Sequence, residues 1–134
     1  NMEQTLKEKV KEIGLEDRVI FTGLQRDVPK FASMFDLFVF PSKREGLGIV
    51  VVEMQALGIP CIISKGVPME VDMGLDLVEQ VPLENQNKWF EDIKAIKKEK
   101  RNGIDWKIRE QKIQQRGYDI KKSIKCLENI YCGE

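Results

Sequence analysis

Two carboxylates, Glu45 and Glu53, stand eight residues apart around a pair of glycines. They belong to the run Pro41-Ser42-Lys43-Arg44-Glu45-Gly46-Leu47-Gly48-Ile49 and the apolar stretch that follows it. Gly46 and Gly48 allow the backbone to turn tightly and to approach a ligand without side-chain interference. If a helix starts here, its free N–H groups and its dipole suit a phosphate. The spacing fits neither a Walker loop nor a dinucleotide fingerprint, and an ordinary strand-to-helix turn would carry the same glycines. Carboxylates suit sugar chemistry because each accepts two hydrogen bonds from hydroxyls. Positions 49 and 53 share one side of a helix, so Glu53 can point towards Ile49 while Glu45 reaches another end of a ligand. Glu53 also lies among Val50, Val51, Val52 and Met54, where burying an ionised carboxylate is costly unless it is hydrogen-bonded. A solvated or internally capped Glu53 is the competing reading.

These residues need a scaffold, and the chain supplies alternating strands and helices. Leu6, Val10 and Ile13 at helical spacing predict a helix over 2–13 that Gly14 ends. A short β-branched and aromatic strand is expected over 18–22, closed by Gly23. Asp27-Val28-Pro29 reads as a cap with proline in the first turn of a helix reaching about Met34. Strands are expected over 36–40, 60–64 and 76–80. Between the first two of these, propensity alone would make 48–52 a strand, but Glu53-Met54-Gln55-Ala56-Leu57 and the stop Gly58-x-Pro60 favour a largely buried helix. Helices follow over 86–98 and through most of the tail. Trp89, Phe90 and Ile93 are expected as core anchors, and the stripe Ile120, Ile124, Leu127, Tyr131 is expected to pack on something. Short apolar strands separated by helices imply crossover connections and a doubly wound parallel sheet of the Rossmann-like α/β class. Such a sheet places ligands beyond the carboxyl ends of its strands, at the loops 23–26, 41–48 and 64–68.

Bulk properties exclude several classes. With 134 residues, 42% apolar and 33% charged, the chain is expected to be one globular domain over 1–134, with 104–134 as a helical tail. No apolar run approaches the roughly eighteen residues of a membrane span, and the N-terminus is not a signal peptide. Three cysteines give no disulfide framework, and the absence of His removes the commonest zinc ligand and the usual general base. A reducing, cytoplasmic compartment is the expectation. Net charge is zero, yet residues 97–125 hold eleven Lys and Arg against four acidic residues, +7. That asymmetry suits either a solvated helix face or contact with an anionic partner, including a peripheral membrane contact.

Glu45-Gly46-Leu47-Gly48-Ile49, then Glu53, then Ala56-Leu57-Gly58-Ile59-Pro60 resembles the E-x7-E region of family 4 glycosyltransferases of the GT-B fold. Thr22-Gly23 after a strand, Asp36 opening the next and Pro41-Ser42 ahead of the first Glu resemble the same family, roughly over 3–98. Capsular and exopolysaccharide-synthesising members look most similar. The resemblance implies the C-terminal, donor-binding domain of a transferase. A hexose would pass from a nucleotide-sugar, expected to be a UDP-sugar, to a glycan or lipid-linked acceptor with retention of configuration. It further implies that Glu45 contacts the donor sugar as the catalytic residue. The amides around Gly46, Leu47, Gly48 and Ile49 would hold sugar and diphosphate beside Ser42, Glu53 would bind the ribose, and the loop at Gly23 would lie near the base. The implied cofactor set is empty: the donor is a substrate and no bound metal is needed. The implied partner is an N-terminal acceptor-binding domain of the same enzyme, with no nucleic acid involved, so this piece alone should be inactive.

The chain departs from the family where Glu-Ala-Met-Ala-x-Gly is replaced by Glu53-Met54-Gln55-Ala56-Leu57-Gly58. A Gly-Gly pair in the next loop is replaced by Ser64-Lys65-Gly66-Val67-Pro68-Met69-Glu70. The family's diphosphate-gripping Arg and Lys would lie ahead of this segment; Lys43 and Arg44 are the local substitutes, with a surface role equally open. Two other readings remain: a non-catalytic nucleotide-binding or protein-interaction α/β module, and a GT-B sugar-nucleotide epimerase, which would need acid–base carboxylates on both faces of the hexose.

Overall fold

In the computed structural model, which describes residues 2–96 and 103–133, helix α1 spans Met2–Glu12 and Gly14 follows it in the left-handed region (φ +65°). Asp27 caps the short helix α2 (Val28–Ala32), accepting from the Lys30 N–H at 3.2 Å, with Pro29 in the first turn. Three strands follow, β1 (Phe38–Phe40), β2 (Cys61–Ser64) and β3 (Val78–Val81). Helix α3 (Ile49–Ala56) connects β1 to β2, and a 3-10 turn (Met69–Val71) lies between β2 and β3. Three helices close the chain, α4 (Gln86–Ala95), α5 (Trp106–Gln115) and α6 (Ile120–Cys132). Lys97 and Lys98, expected in the α4 helix, lie outside the described residues, as do Lys100 and Arg101 of the basic segment.

The sheet is parallel throughout, in the order β1-β2-β3, with Phe38, Cys61 and Val78 in register and Phe40, Ile63 and Gln80 two residues on. Alternation along the strands sends these residues to one face. There Cys61 and Ile63, with Phe38, Phe40 and Val78 against them, meet Val51, Val52 and Met54 of α3. On the other face Ile62 is buried and Glu79 reaches Lys88 of α4 at 3.7 Å. Helices thus cover both faces, which explains why all four residues of β2 are buried. Burial of Ile62 and Ile63 contributes about 1.5–3 kcal/mol of hydrophobic stabilisation apiece. Within this core Gln55 is fully buried, donating to the carbonyls of Val51 and Val71 and accepting from the Met73 N–H. Helix α5 packs on α3, and its Arg109 donates to the Ala56 carbonyl at the carboxyl end of that helix.

Several expectations are corrected. The strand expected over 18–22 does not form: 19–25 is irregular and exposed, with Ile20 84% accessible. β-Branched residues favour a strand only where a neighbour pairs with it, and among the described residues neither ladder includes 18–22. Asp36 precedes β1 instead of opening it, and Asp76, at φ +55°, delays β3 to Val78 because a left-handed residue cannot sit in a ladder. In α4, Trp89 is half-buried and donates to the Pro82 carbonyl at 3.0 Å, but Phe90 and Ile93 are exposed. The α6 stripe forms, yet Ile120, Ile124, Leu127 and Tyr131 all stay exposed. Periodicity specifies an apolar face; it does not supply the surface that covers it.

Burial pushes the Cys61 thiol up to about 12, whereas Cys126 and Cys132 are exposed. A thiol titration of the native chain near neutral pH should therefore show two fast groups, Cys126 and Cys132, and a third only on denaturation. Three fast groups would mean that β2 is not interior. Because the folded chain holds the Cys61 proton more tightly than the unfolded one, its contribution is whole below the ordinary thiol pKa. It is lost as pH rises towards the folded value.

Candidate functional site

Parallel neighbours emit their following loops at the same edge of the sheet, and β1 and β2 therefore deliver 41–48 and 65–68 side by side. The two loops are stitched together through the backbone. Glu45 N–H donates to the Gly66 carbonyl at 3.0 Å, and the Ser64 hydroxyl donates to the Ser42 carbonyl. A Cβ at Gly66 would stand 2.6 Å from the Ser42 carbonyl oxygen and closer still to that of Lys43, so only glycine fits. From β3, Gln80 donates its amide to the Val67 carbonyl at 2.9 Å and holds the second loop from below.

Glu45 is half-buried in this seam, and the Ser42 hydroxyl donates to its Oε1 at 2.7 Å. The Arg44 carbonyl is 3.2 Å from the same hydroxyl, which has a single proton and gives it to the closer, charged acceptor. One carboxylate oxygen is thereby aimed, and the second remains available to hydroxyl donors. Gly48 then turns left-handed (φ +75°) and its αC approaches Val67, where a Cβ would lie 3.1 Å from Cγ1. The chain enters α3 with no side-chain cap, so the first N–H groups of that helix are free of one. An anion is the natural complement to such an end.

Along α3, Ile49, Glu53 and Ala56 are exposed while Val51, Val52, Met54 and Gln55 are buried. The costly case of a buried Glu53 carboxylate is avoided because its side of the helix faces outward. Glu53 borders a hollow of about 180 Å³ with Val28 and Pro29 of α2 and Met54, Ala56 and Leu57.

Of the sequence-derived candidates, Ser42 and Glu45 are bonded to each other. Gly46, Leu47, Gly48 and Ile49 run from them into α3. Leu47 and Ile49 are exposed beside the seam, as are Lys43 and Arg44. Glu53 lies one helical turn beyond Ile49 on the same side. Gly23 sits in the irregular exposed segment between α1 and α2, with nothing within 4 Å of where its Cβ would be. Sequence reasoning named the loop 64–68 but missed how Ser64 and Gly66 join it to 41–48, and it missed Gln80. Each is visible only as a polar or small residue at the carboxyl end of a strand, a signal shared with ordinary turns. Among the described residues, no group of three or more His, Cys, Asp or Glu is placed to hold a metal ion. No helix among them is long and apolar enough to cross a membrane.

A parallel α/β sheet with helices on both faces, and a glycine-bearing loop leading from its carboxyl edge into an uncapped helix, is consistent with a Rossmann-like domain of the GT-B kind. The chain belongs to the family described as glycosyl transferases group 1, whose family model matches residues 1–116. It is 36% identical over 130 residues to EpsF of Bacillus subtilis (strain 168), named as a glycosyltransferase, covering 94% of this chain and 33% of that protein. The lipopolysaccharide core biosynthesis mannosyltransferase LpsB of Rhizobium meliloti (strain 1021) is 40% identical over 60 residues, 45% of this chain and 17% of the relative. The UDP-Gal:alpha-D-GlcNAc-diphosphoundecaprenol alpha-1,3-galactosyltransferase of Escherichia coli is 36% identical over 53 residues, 40% of this chain and 14% of the relative. The chain thus spans a third or less of the length of these relatives, and it is related to polysaccharide-biosynthesis enzymes.

Gly66→Ala should destabilise the fold by about 1–3 kcal/mol, because one loop must be pushed off the other. Urea unfolding measures this, and an unchanged midpoint would mean that the two loops do not pack as described.

Proposed function

We propose that this chain is the C-terminal, donor-binding domain of a glycosyltransferase that moves a hexose from a nucleotide-sugar to a glycan or lipid-linked acceptor in surface polysaccharide synthesis. The observation that carries the proposal is the placement of Glu45. It is a half-buried carboxylate oriented by Ser42, held at the carboxyl edge of a parallel sheet, directly ahead of the uncapped amino end of α3. Glu45 accepts hydrogen bonds from the hexose hydroxyls and fixes the sugar. The amides from Gly46 to Ile49 face the diphosphate, and Glu53 takes the ribose hydroxyls one turn along.

Transfer breaks the bond between the anomeric carbon and the diphosphate oxygen, so negative charge grows on the leaving group. Preorganised N–H groups and the positive end of the helix dipole stabilise that charge without reorganising during the reaction. Lys43 and Arg44, exposed on the same loop, add positive charge nearby. The new bond forms to an acceptor hydroxyl on the face from which the diphosphate leaves, giving retention, and the hydroxyl proton passes to the departing diphosphate oxygen. The acceptor is held by an N-terminal domain of the same enzyme, and the chemistry uses no bound metal. A UDP-sugar is the proposed donor, in line with the printed name of the Escherichia coli relative, which also carries a lipid diphosphate acceptor. The exposed basic side chains Lys107, Lys112, Arg116, Lys121, Lys122 and Lys125 suit a peripheral contact at the cytoplasmic membrane face, whose lipids are anionic.

Titration of the isotopically labelled chain with UDP-, GDP- and ADP-sugars should move amide resonances over 42–53 and 64–68, most strongly with the UDP-sugar. Glu45→Ala and Glu53→Ala should each weaken binding by about tenfold or more, the effect of removing a charged hydrogen-bond partner. The chain alone should transfer sugar negligibly, since it cannot hold donor and acceptor in register. Absence of shifts even with the acceptor domain restored, or substantial turnover by this chain alone, would refute the assignment.

A further inference from the structure

Gln55 stands where the resemblance to family 4 glycosyltransferases leads one to expect a methionine, and it is fully buried in an otherwise apolar helix. A polar group there is tolerated only when its hydrogen bonds are met, and all of its strong ones are. Its Nε2 donates to the Val51 carbonyl at 3.1 Å within α3 and to the Val71 carbonyl at 2.7 Å across to the 3-10 turn. Its Oε1 accepts from the Met73 N–H at 3.0 Å. Val71 and Met73 are themselves fully buried and lie outside any strand, so no ladder neighbour serves those backbone groups. One side chain therefore fastens the segment 71–73 to α3 from both of its polar sides.

What is fastened bears on the loop of Glu45. A Cβ at Gly48 would lie 3.6 Å from Val71 Cγ1 and 3.1 Å from Val67 Cγ1, so these valines form the wall against which the chain turns into α3. If 71–73 drifts, that wall moves, and the first N–H groups of α3 lose their fixed aim. We propose that Gln55 is a positioning residue of the donor site: it touches no ligand, but it holds the Val67–Met73 wall against Gly48 and thereby keeps the α3 amides aimed at the diphosphate. The inference rests on the donor-binding reading above and adds to it a residue two turns from the loop.

The test uses this chain with Gln55→Met and Gln55→Glu. Methionine matches the side chain in length and makes none of the three hydrogen bonds. Glutamic acid, when protonated, restores one donor and the acceptor; when ionised it restores no donor. The charged groups on the surrounding elements, Glu53 on α3, Glu70 in the turn, Asp72 just after it and Arg109 on α5, are the same in the unsubstituted chain and in both variants.

Gln55→Met should speed amide exchange at Met73, shift the resonances of Gly48 to Val51, and weaken UDP-sugar binding about tenfold. Gln55→Glu should resemble Gln55→Met near pH 8 and recover towards the unsubstituted chain near pH 5, where a carboxyl at a buried site is neutral. This recovery would not occur if the residue merely filled space, and it remains measurable if Gln55→Met fails to fold. Unsubstituted chain that binds UDP-sugar, with either variant binding equally well at both pH values, overturns the proposal and leaves the donor reading intact. Unsubstituted chain that binds no nucleotide-sugar, with the acceptor domain restored, overturns both. Weakened binding in Gln55→Glu that does not recover at the lower pH overturns the positioning role.

Discussion

The arrangement around Glu45 depends on one close approach, that of Gly66 to the carbonyls of Ser42 and Lys43. Backbone can lie against backbone at this distance only where no Cβ intervenes, and the short contact brings the Gly66 carbonyl to the Glu45 N–H. The Ser64 hydroxyl reinforces the same seam at the Ser42 carbonyl. Glu45 is then presented by a doubly anchored loop, and Ser42 aims its carboxylate. A residue on an isolated loop would sample many orientations; here the neighbouring strand's loop removes most of them.

Helix α3 carries the second half of the arrangement. Its inner side joins the core through Val51, Val52 and Met54, while its outer side presents Ile49 and Glu53. The run of β-branched residues is tolerated in a helix because packing on both the sheet and α5 outweighs intrinsic propensity. Gln55 adds a polar tie to this otherwise apolar contact, and Arg109 joins the far end of α3 to α5. Helix start, helix face and adjoining turn are therefore parts of one rigid unit.

The two ends of the chain contrast with this unit. Helix α1 buries no residue, the segment 19–25 is exposed, and the apolar stripe of α6 stays open. Each has the apolar pattern of an element that packs, yet none of the three buries a residue; a contact between the first two is Lys7 Nζ over the Phe21 ring at 5.4 Å. Burial in this chain is concentrated between β1 and β3.

Much of the fold was legible in the residues themselves. Gly14, Asp27-Pro29, Gly48 and Gly58 mark helix ends through local backbone chemistry, and α1, α2 and α3 follow from them. The run Cys61–Ser64 declares a strand buried on both faces by its composition. The pairing of Glu45 with Glu53 around two glycines is likewise a matter of chain order alone. What the sequence could not decide is anything that requires a second surface. A strand at 18–22 needs a neighbour to bond with, and the stripes of α4 and α6 need something to lie against. The fit of Gly66 on Ser42, the hydroxyl of Ser64 and the three hydrogen bonds of Gln55 all join residues at least sixteen positions apart, save the one to Val51. Local interactions determine where an element begins and ends; only tertiary packing decides which polar groups meet, because that depends on distances the chain order does not contain.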